Sequence, residues 1–210
     1  MRFAYSYFVK ADGGIIFSPY EYIKKKKVKK MKRSIALWQM GGVAFTAVLG
    51  TLLHFLYGWT GKNVGVAPFA AVNESTWEHM KLFFVPAVLF AAIQSRFFRD
   101  NKGFWWIKLL GILLGLTLIP ALFYTIKGAF GVSPAWWNIL LFVLATGSAY
   151  GMEGALLKRS ELRWRWQWIA VVLLALLGAA FVFFTFAPPD LPLFQDPTLK
   201  DKLLGRHAIT

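Results

Sequence analysis

QWIAVVLLALLGAAFVFFTFAP, residues 167–188, carries no charged side chain, and this stretch decides the fold. A helix rising 1.5 Å per residue needs about 20 apolar residues to cross a hydrocarbon core of ~30 Å. No water there satisfies backbone amides, so only a structure that closes its own hydrogen bonds can span it. Four further stretches approach that length, giving expected helices near 35–58, 77–96, 104–126, 135–156 and 166–187. The first is free of charge from Ser34 to Gly61, the third is interrupted only by Lys108, and the fourth carries a single acid, Glu153. The second has only residues 82 to 95 between charges, too few to span unless polar residues upstream also enter the membrane. The expected fold is an all-α integral membrane bundle of five transmembrane helices.

Composition agrees. Apolar residues make up 57% of 210 and aromatic residues 18%, more than a soluble domain of this size carries. The net charge of +14 lies in short clusters between apolar runs, which argues against nucleic acid as a partner and for the lipid bilayer. With no cysteine there is no disulfide framework and no thiolate metal site. Any metal must be held by His and carboxylates.

Basic residues set the orientation, because segments rich in them stay cytoplasmic. With the N-terminus inside, one side holds ten in 1–33, three in 96–103, Lys108 and four in 157–166, against six on the other. Five helices then place the C-terminus outside. Trp105, Trp106, Trp164, Trp166 and Trp168 fall at the inner ends, and Tyr57, Trp59, Trp77, Trp136 and Trp137 at the outer ends, as aromatic interface belts require.

The expected organisation is a basic cytoplasmic segment 1–33, a transmembrane domain 34–187 and a Pro-rich extracytoplasmic tail 188–210. Lys24 to Lys27, Lys29, Lys30, Lys32 and Arg33 form a polybasic collar. It is a topology determinant, and it also suits the surface of an anionic lipid leaflet. Residues 1–30 lack the form of a signal peptide, and Met31-Lys32-Arg33 resembles an ordinary start, so 1–30 is expected to be an upstream extension without a fold. In the tail, Pro188, Pro189, Pro192 and Pro197 exclude a helix. Leu191, Leu193 and Phe194 either fold back on the outer face or leave a loose solvated tail.

The second helix opens Asn73-Glu74-Ser75-Thr76-Trp77-Glu78-His79-Met80-Lys81, the densest set of polar groups outside the cytoplasmic loops. Ser75 to Glu78 has the form of a capping box, in which each satisfies the other's free amide. Lys81, three residues after Glu78 and seven after Glu74, completes a stripe read as a surface ion pair. That reading leaves over His79, Asn73 and the second acid. His54 and His79 lie at matched depths, about 6–9 Å inside the outer helix ends, and adjacent antiparallel helices bring such residues together. The candidate functional cluster is His54, Asn73, Glu74, Ser75, Glu78, His79 and Lys81. The candidate metal set is His54, His79 and Glu78, with zinc as the ion its ligand types suit. Against that set, Glu78 and His79 are neighbours and diverge by roughly 100° on a helix. His207 lies in the tail on the same side.

Glu153 is a second candidate, beside Gly147, Ser148, Gly151 and Gly154. It is read either as reaching the headgroups or Lys158 and Arg159 across a small-residue seam, or as a proton-relay carboxylate. Gly111 and Gly115 form a G-x-x-x-G pair read as packing.

Leu53-His54-Phe55-Leu56-Tyr57, the stretch from Val72 to Lys81, and Pro188-Pro189-Asp190-Leu191-Pro192-Leu193-Phe194-Gln195-Asp196-Pro197 together resemble the small bacterial membrane proteins of domain of unknown function family 6512. The resemblance covers roughly 34–197, leaves 1–30 outside, and implies a multi-pass protein of the bacterial plasma membrane with no assigned reaction. The function expected is binding of a ligand, ion or partner through the outer cluster. The alternative is a membrane-embedded, metal-dependent hydrolase or transferase acting at the outer headgroup level. Five helices form a small bundle, so a transport path would require a homo-oligomer.

Overall fold

The computed structural model describes residues 8–9, 15–16, 19–131, 135–159 and 164–196. Two two-residue strands, β1 (Phe8–Val9) and β2 (Ile15–Ile16), pair antiparallel. The rest of the described regular structure is helical: α1 (Pro19–Trp59), α2 (Thr76–Ser95), α3 (Phe104–Phe130), α4 (Ala135–Leu157) and α5 (Gln167–Phe186). All five are long and apolar enough to cross a membrane, the span within α1 being Arg33–Trp59. This is a multi-pass membrane protein.

Helix α1 extends well upstream of residue 35 and takes in the polybasic run. Lysine is a good helix former, and nothing between Pro19 and the membrane span breaks the helix. Helices α1 to α4 close a ring in which each packs on the next and α4 returns to α1, while α5 docks outside against α2 and α3. One end of the bundle, the collar end, gathers Ile35 of α1, Phe104 and Ile107 of α3 and Leu157 of α4. The opposite end, the strap end, gathers Leu53 of α1, Ala71 of the following loop and Leu82 of α2.

The short second helix is explained by its position. Of its span, 61% is buried within the bundle, against 17% for α5. A helix surrounded by protein needs no continuous apolar face toward lipid, so polar residues survive where they find partners. Close approach to α2 depends on missing side chains: a Cβ on Gly115 would overlap the Phe83 ring, and one on Gly50 would meet the Leu82 carbonyl. Gly115 of the G-x-x-x-G pair therefore serves packing, as read.

Beyond α5 the chain folds back as a strap over 188–196. The Trp77 amide donates to the Leu193 carbonyl at 3.0 Å, and the Tyr124 hydroxyl donates to the Pro192 carbonyl at 3.0 Å. The Phe194 ring lies 4.8 Å from Trp77 and 5.5 Å from Phe184, and Trp77 also meets Phe181 at 4.5 Å. The prolines stop the helix from continuing, the segment turns over 191–195, and its apolar side chains close the end of the bundle. Phe194→Ala removes these ring contacts and is expected to destabilise the protein by on the order of 2 kcal/mol. Thermal unfolding in detergent micelles checks this, and an unchanged midpoint would mean that the strap is not held.

Candidate functional site

At the strap end, Glu78 and Lys81 form an ion pair with Oε2 and Nζ 2.7 Å apart, and both side chains are almost fully buried. The Lys81 ammonium spends its other two protons on the Ala67 carbonyl at 2.8 Å and the Thr185 hydroxyl at 2.9 Å. Glu78 Oε2 also accepts from the Val72 amide at 3.0 Å, and its Oε1 lies 3.0 Å from the Thr185 hydroxyl. The pair is therefore a buried clamp on the loop 60–75 and on α5: the short apolar span of the second helix draws Glu78 inward, as expected, and the surface ion pair of the plain capping reading is not what forms. The capping box is half formed. Ser75 Oγ accepts from the Glu78 amide at 3.4 Å, while the Ser75 amide donates to Asn73 Oδ1 at 2.9 Å instead of to Glu78.

With Glu78 so committed, it is Glu74 that stands beside the histidines. Glu74 Oε2 lies 3.5 Å from His79 Nε2, and Oε1 lies 3.8 Å from His54 Nε2. The two imidazole rings are 5.4 Å apart, and one ligand atom from each of the three residues lies within 4.8 Å of the others. Of the set expected from sequence, His54 and His79 converge, with Glu74 beside them; Glu78 stands apart, because neighbouring residues on a helix point apart and the buried lysine holds it. His79 Nδ1 sits 2.9 Å from the Ser75 carbonyl. A carbonyl only accepts, so Nδ1 carries a proton and Nε2 is the ring nitrogen turned toward Glu74. His54 is set edge-on against Phe55 at 4.9 Å. The Glu74 amide donates to Asp196 Oδ2 at 3.3 Å, tying the strap to this corner. All three side chains are partly open, with exposures of 27%, 32% and 48% for His54, His79 and Glu74. His207 lies outside the described residues.

A second polar cluster lies toward the collar end and is wholly buried. Lys108 of α3 contacts Glu153 of α4 at 2.5 Å. Its ammonium also faces the rings of Tyr150, Phe104 and Phe90 at 5.2, 5.7 and 5.9 Å. Glu153 Oε2 further accepts from Gln39 Nε2 at 3.0 Å, Gln94 Nε2 donates to Gln39 Oε1 at 3.0 Å, and the hydroxyls of Thr46 and Tyr150 meet at 2.9 Å. The partner of Glu153 is thus Lys108, not Lys158, Arg159 or the headgroups. Both charges sit too deep in the bundle to reach water and are cheaper paired than apart. Gly111 makes room, since a Cβ there would overlap the Glu153 carboxyl group.

Sequence reasoning missed Gln39, Gln94, Thr46 and Tyr150, and it set Lys108 near the start of the third helix without a partner. A signal for the pair was available. Lys108 stands four residues after the start of α3 and Glu153 four before the end of α4, so consecutive antiparallel helices bring the two lone charges to one depth. Lys108→Met or Glu153→Met alone strands a buried partner and should cost about 3–5 kcal/mol. Lys108→Met combined with Glu153→Met should recover most of that loss. A double-mutant cycle on unfolding in mixed micelles reads the coupling, and simple additivity would contradict the pairing.

Comparison with curated proteins and with solved structures gives no match. A family model, by contrast, matches residues 24–207, extending upstream into the collar and downstream beyond the strap. Because that match takes in all five membrane spans, both polar clusters and the strap, this protein belongs to the family of unknown function DUF6512.

Proposed function

We propose that this protein binds one divalent transition-metal ion, zinc in the first instance, between His54, Glu74 and His79 at the strap end of α1 and α2. The convergence of two imidazoles and a carboxylate within 4.8 Å supports this reading. Tetrahedral zinc with ligands at about 2.0 Å needs donor atoms about 3.3 Å apart. Glu74 is already near that distance from both histidines, and as an exposed loop side chain it can close the remainder. The Ser75 carbonyl on His79 Nδ1 supplies the outer-shell contact that fixes a ligand imidazole.

The partial exposure of the cluster favours a second reading at the same site. Three protein ligands leave the fourth zinc position to water, and a site at the end of the bundle is open to molecules at headgroup depth. A metal-dependent hydrolase or transferase would use that position. Glu78 offers neither ligand nor base to it, being held by Lys81 and Thr185.

The orientation that goes with this function has the collar end cytoplasmic and the strap end outside, in a plasma membrane. The excess of basic residues at the collar end supports it, and the burial of Lys108 and Lys81 removes one from each side of that balance. The chain has no cysteine, so single reporters are clean. Asn63→Cys is expected to react with an impermeant maleimide on intact cells, and Lys102→Cys only after permeabilisation; the reverse pattern would invert the topology.

For the metal, purified protein dialysed against zinc should hold one ion per chain, and Glu74→Gln, His54→Ala and His79→Ala should each lose it. Glu74 is exposed, so Glu74→Gln should melt like the parent without metal. Zinc at a hundred times its Kd should stabilise the parent by about 2.7 kcal/mol and leave Glu74→Gln unmoved. A zinc-induced shift that survives Glu74→Gln and both histidine variants would place the ion elsewhere.

A further inference from the structure

On the flank of the bundle, between α1 and α2 near the collar end, lies an open crevice of about 290 Å³ lined by Ser34, Leu37, Trp38, Gly41 and Phe90. It starts at the membrane boundary, since the span of α1 begins at Arg33, and at 1.5 Å per residue it runs about 10 Å inward to Gly41. Its walls are apolar below Ser34. The Trp38 ring packs at a tilt against Phe97, 4.5 Å away and itself exposed, and against Phe90 at 5.9 Å. The floor exists because residue 41 has no side chain: a Cβ there would meet only Phe90 Cζ, at 4.0 Å, so a larger side chain has room to fill the space.

The crevice residues of α1 recur at 34, 37, 38 and 41, one face of a helix. The same stripe continued upstream within α1 falls on Lys30 and Lys27, one and two turns outside the span. An apolar slot below a basic stripe, meeting at a serine on the interface, is complementary to one molecule with an acyl chain below and an anionic group above. We propose that this crevice binds an anionic phospholipid, with one acyl chain against Trp38, Gly41 and Phe90 and the headgroup at the level of Ser34 and the collar. A second copy of the chain is the competing occupant. A two-fold axis along the membrane normal would set lysine stripe against lysine stripe, which disfavours it.

The test uses full-length protein in micelles with equal amounts of phosphatidylglycerol and phosphatidylcholine, read by native mass spectrometry. The parent is expected to retain one phosphatidylglycerol about tenfold over phosphatidylcholine. Gly41→Leu should lose that lipid, and Lys27→Gln with Lys30→Gln should keep a lipid but no longer discriminate. Equal retention of both lipids by the parent, or full retention of phosphatidylglycerol by a Gly41→Leu protein that melts normally, overturns the proposal. So does a parent dimer that Gly41→Leu dissociates, which would assign the crevice to a second copy. Should Gly41→Leu not fold, brominated lipids decide. Quenching by the phosphatidylglycerol form should exceed that by the phosphatidylcholine form, and Trp38→Phe should remove the excess; equal quenching by the two overturns the proposal.

Discussion

The buried pair between Glu78 and Lys81 fixes the strap end of this protein. Two charges placed near the end of a membrane helix are tolerable only with their hydrogen-bonding capacity filled. Here the filling comes from the Ala67 carbonyl, the Val72 amide and the Thr185 hydroxyl. Those partners belong to the loop 60–75 and to α5, so satisfying the pair draws loop and helix onto α2. Ala67, Ala70 and Ala71 are buried as a consequence. The loop then delivers Asn73 and Glu74 to the start of α2, and Glu74 arrives between His54 and His79. The geometry of the exposed cluster is inherited from a buried one.

The two polar clusters divide by what remains unspent. Around Glu78 and Lys81, as around Lys108 and Glu153, the charged groups are close-packed and matched by internal partners, which is how a membrane bundle fixes the register of its helices. The trio of His54, Glu74 and His79 is different. It is partly open, its closest mutual distances exceed hydrogen bonding, and one histidine is already oriented by a carbonyl. Donors assembled but not satisfied by one another are the ones available to an ion.

Much of this was legible in the sequence, and the limits have physical causes. Five apolar runs gave five helices with ends close to those expected, because the hydrocarbon core sets their length. Matched depth on antiparallel helices brought His54 to His79, and the roughly 100° between neighbours on a helix warned against Glu78 as a shared ligand. Both Glu74 and Glu78 were placed beside the histidines, and which of them stays there was hidden, since it depends on a loop whose path is fixed by Lys81 at long range. The fold of the tail was open for the same reason: proline excludes a helix in 188–196 but does not say that Trp77 and Phe184 wait to receive Phe194. Gln39 and Gln94 were invisible because an amide in an apolar run looks tolerable alone, and its role appears only when four helices close around Glu153.

In the proposed site a loop carboxylate and two helix imidazoles form one coordination sphere. X-ray absorption at the zinc edge of protein loaded with one equivalent of zinc reads that sphere directly. The expected result is a shell of nitrogen and oxygen at about 2.0 Å with the outer scattering of two imidazoles, reduced to one in His54→Ala and in His79→Ala. A zinc shell without imidazole scattering, or one unaltered by either substitution, would contradict it.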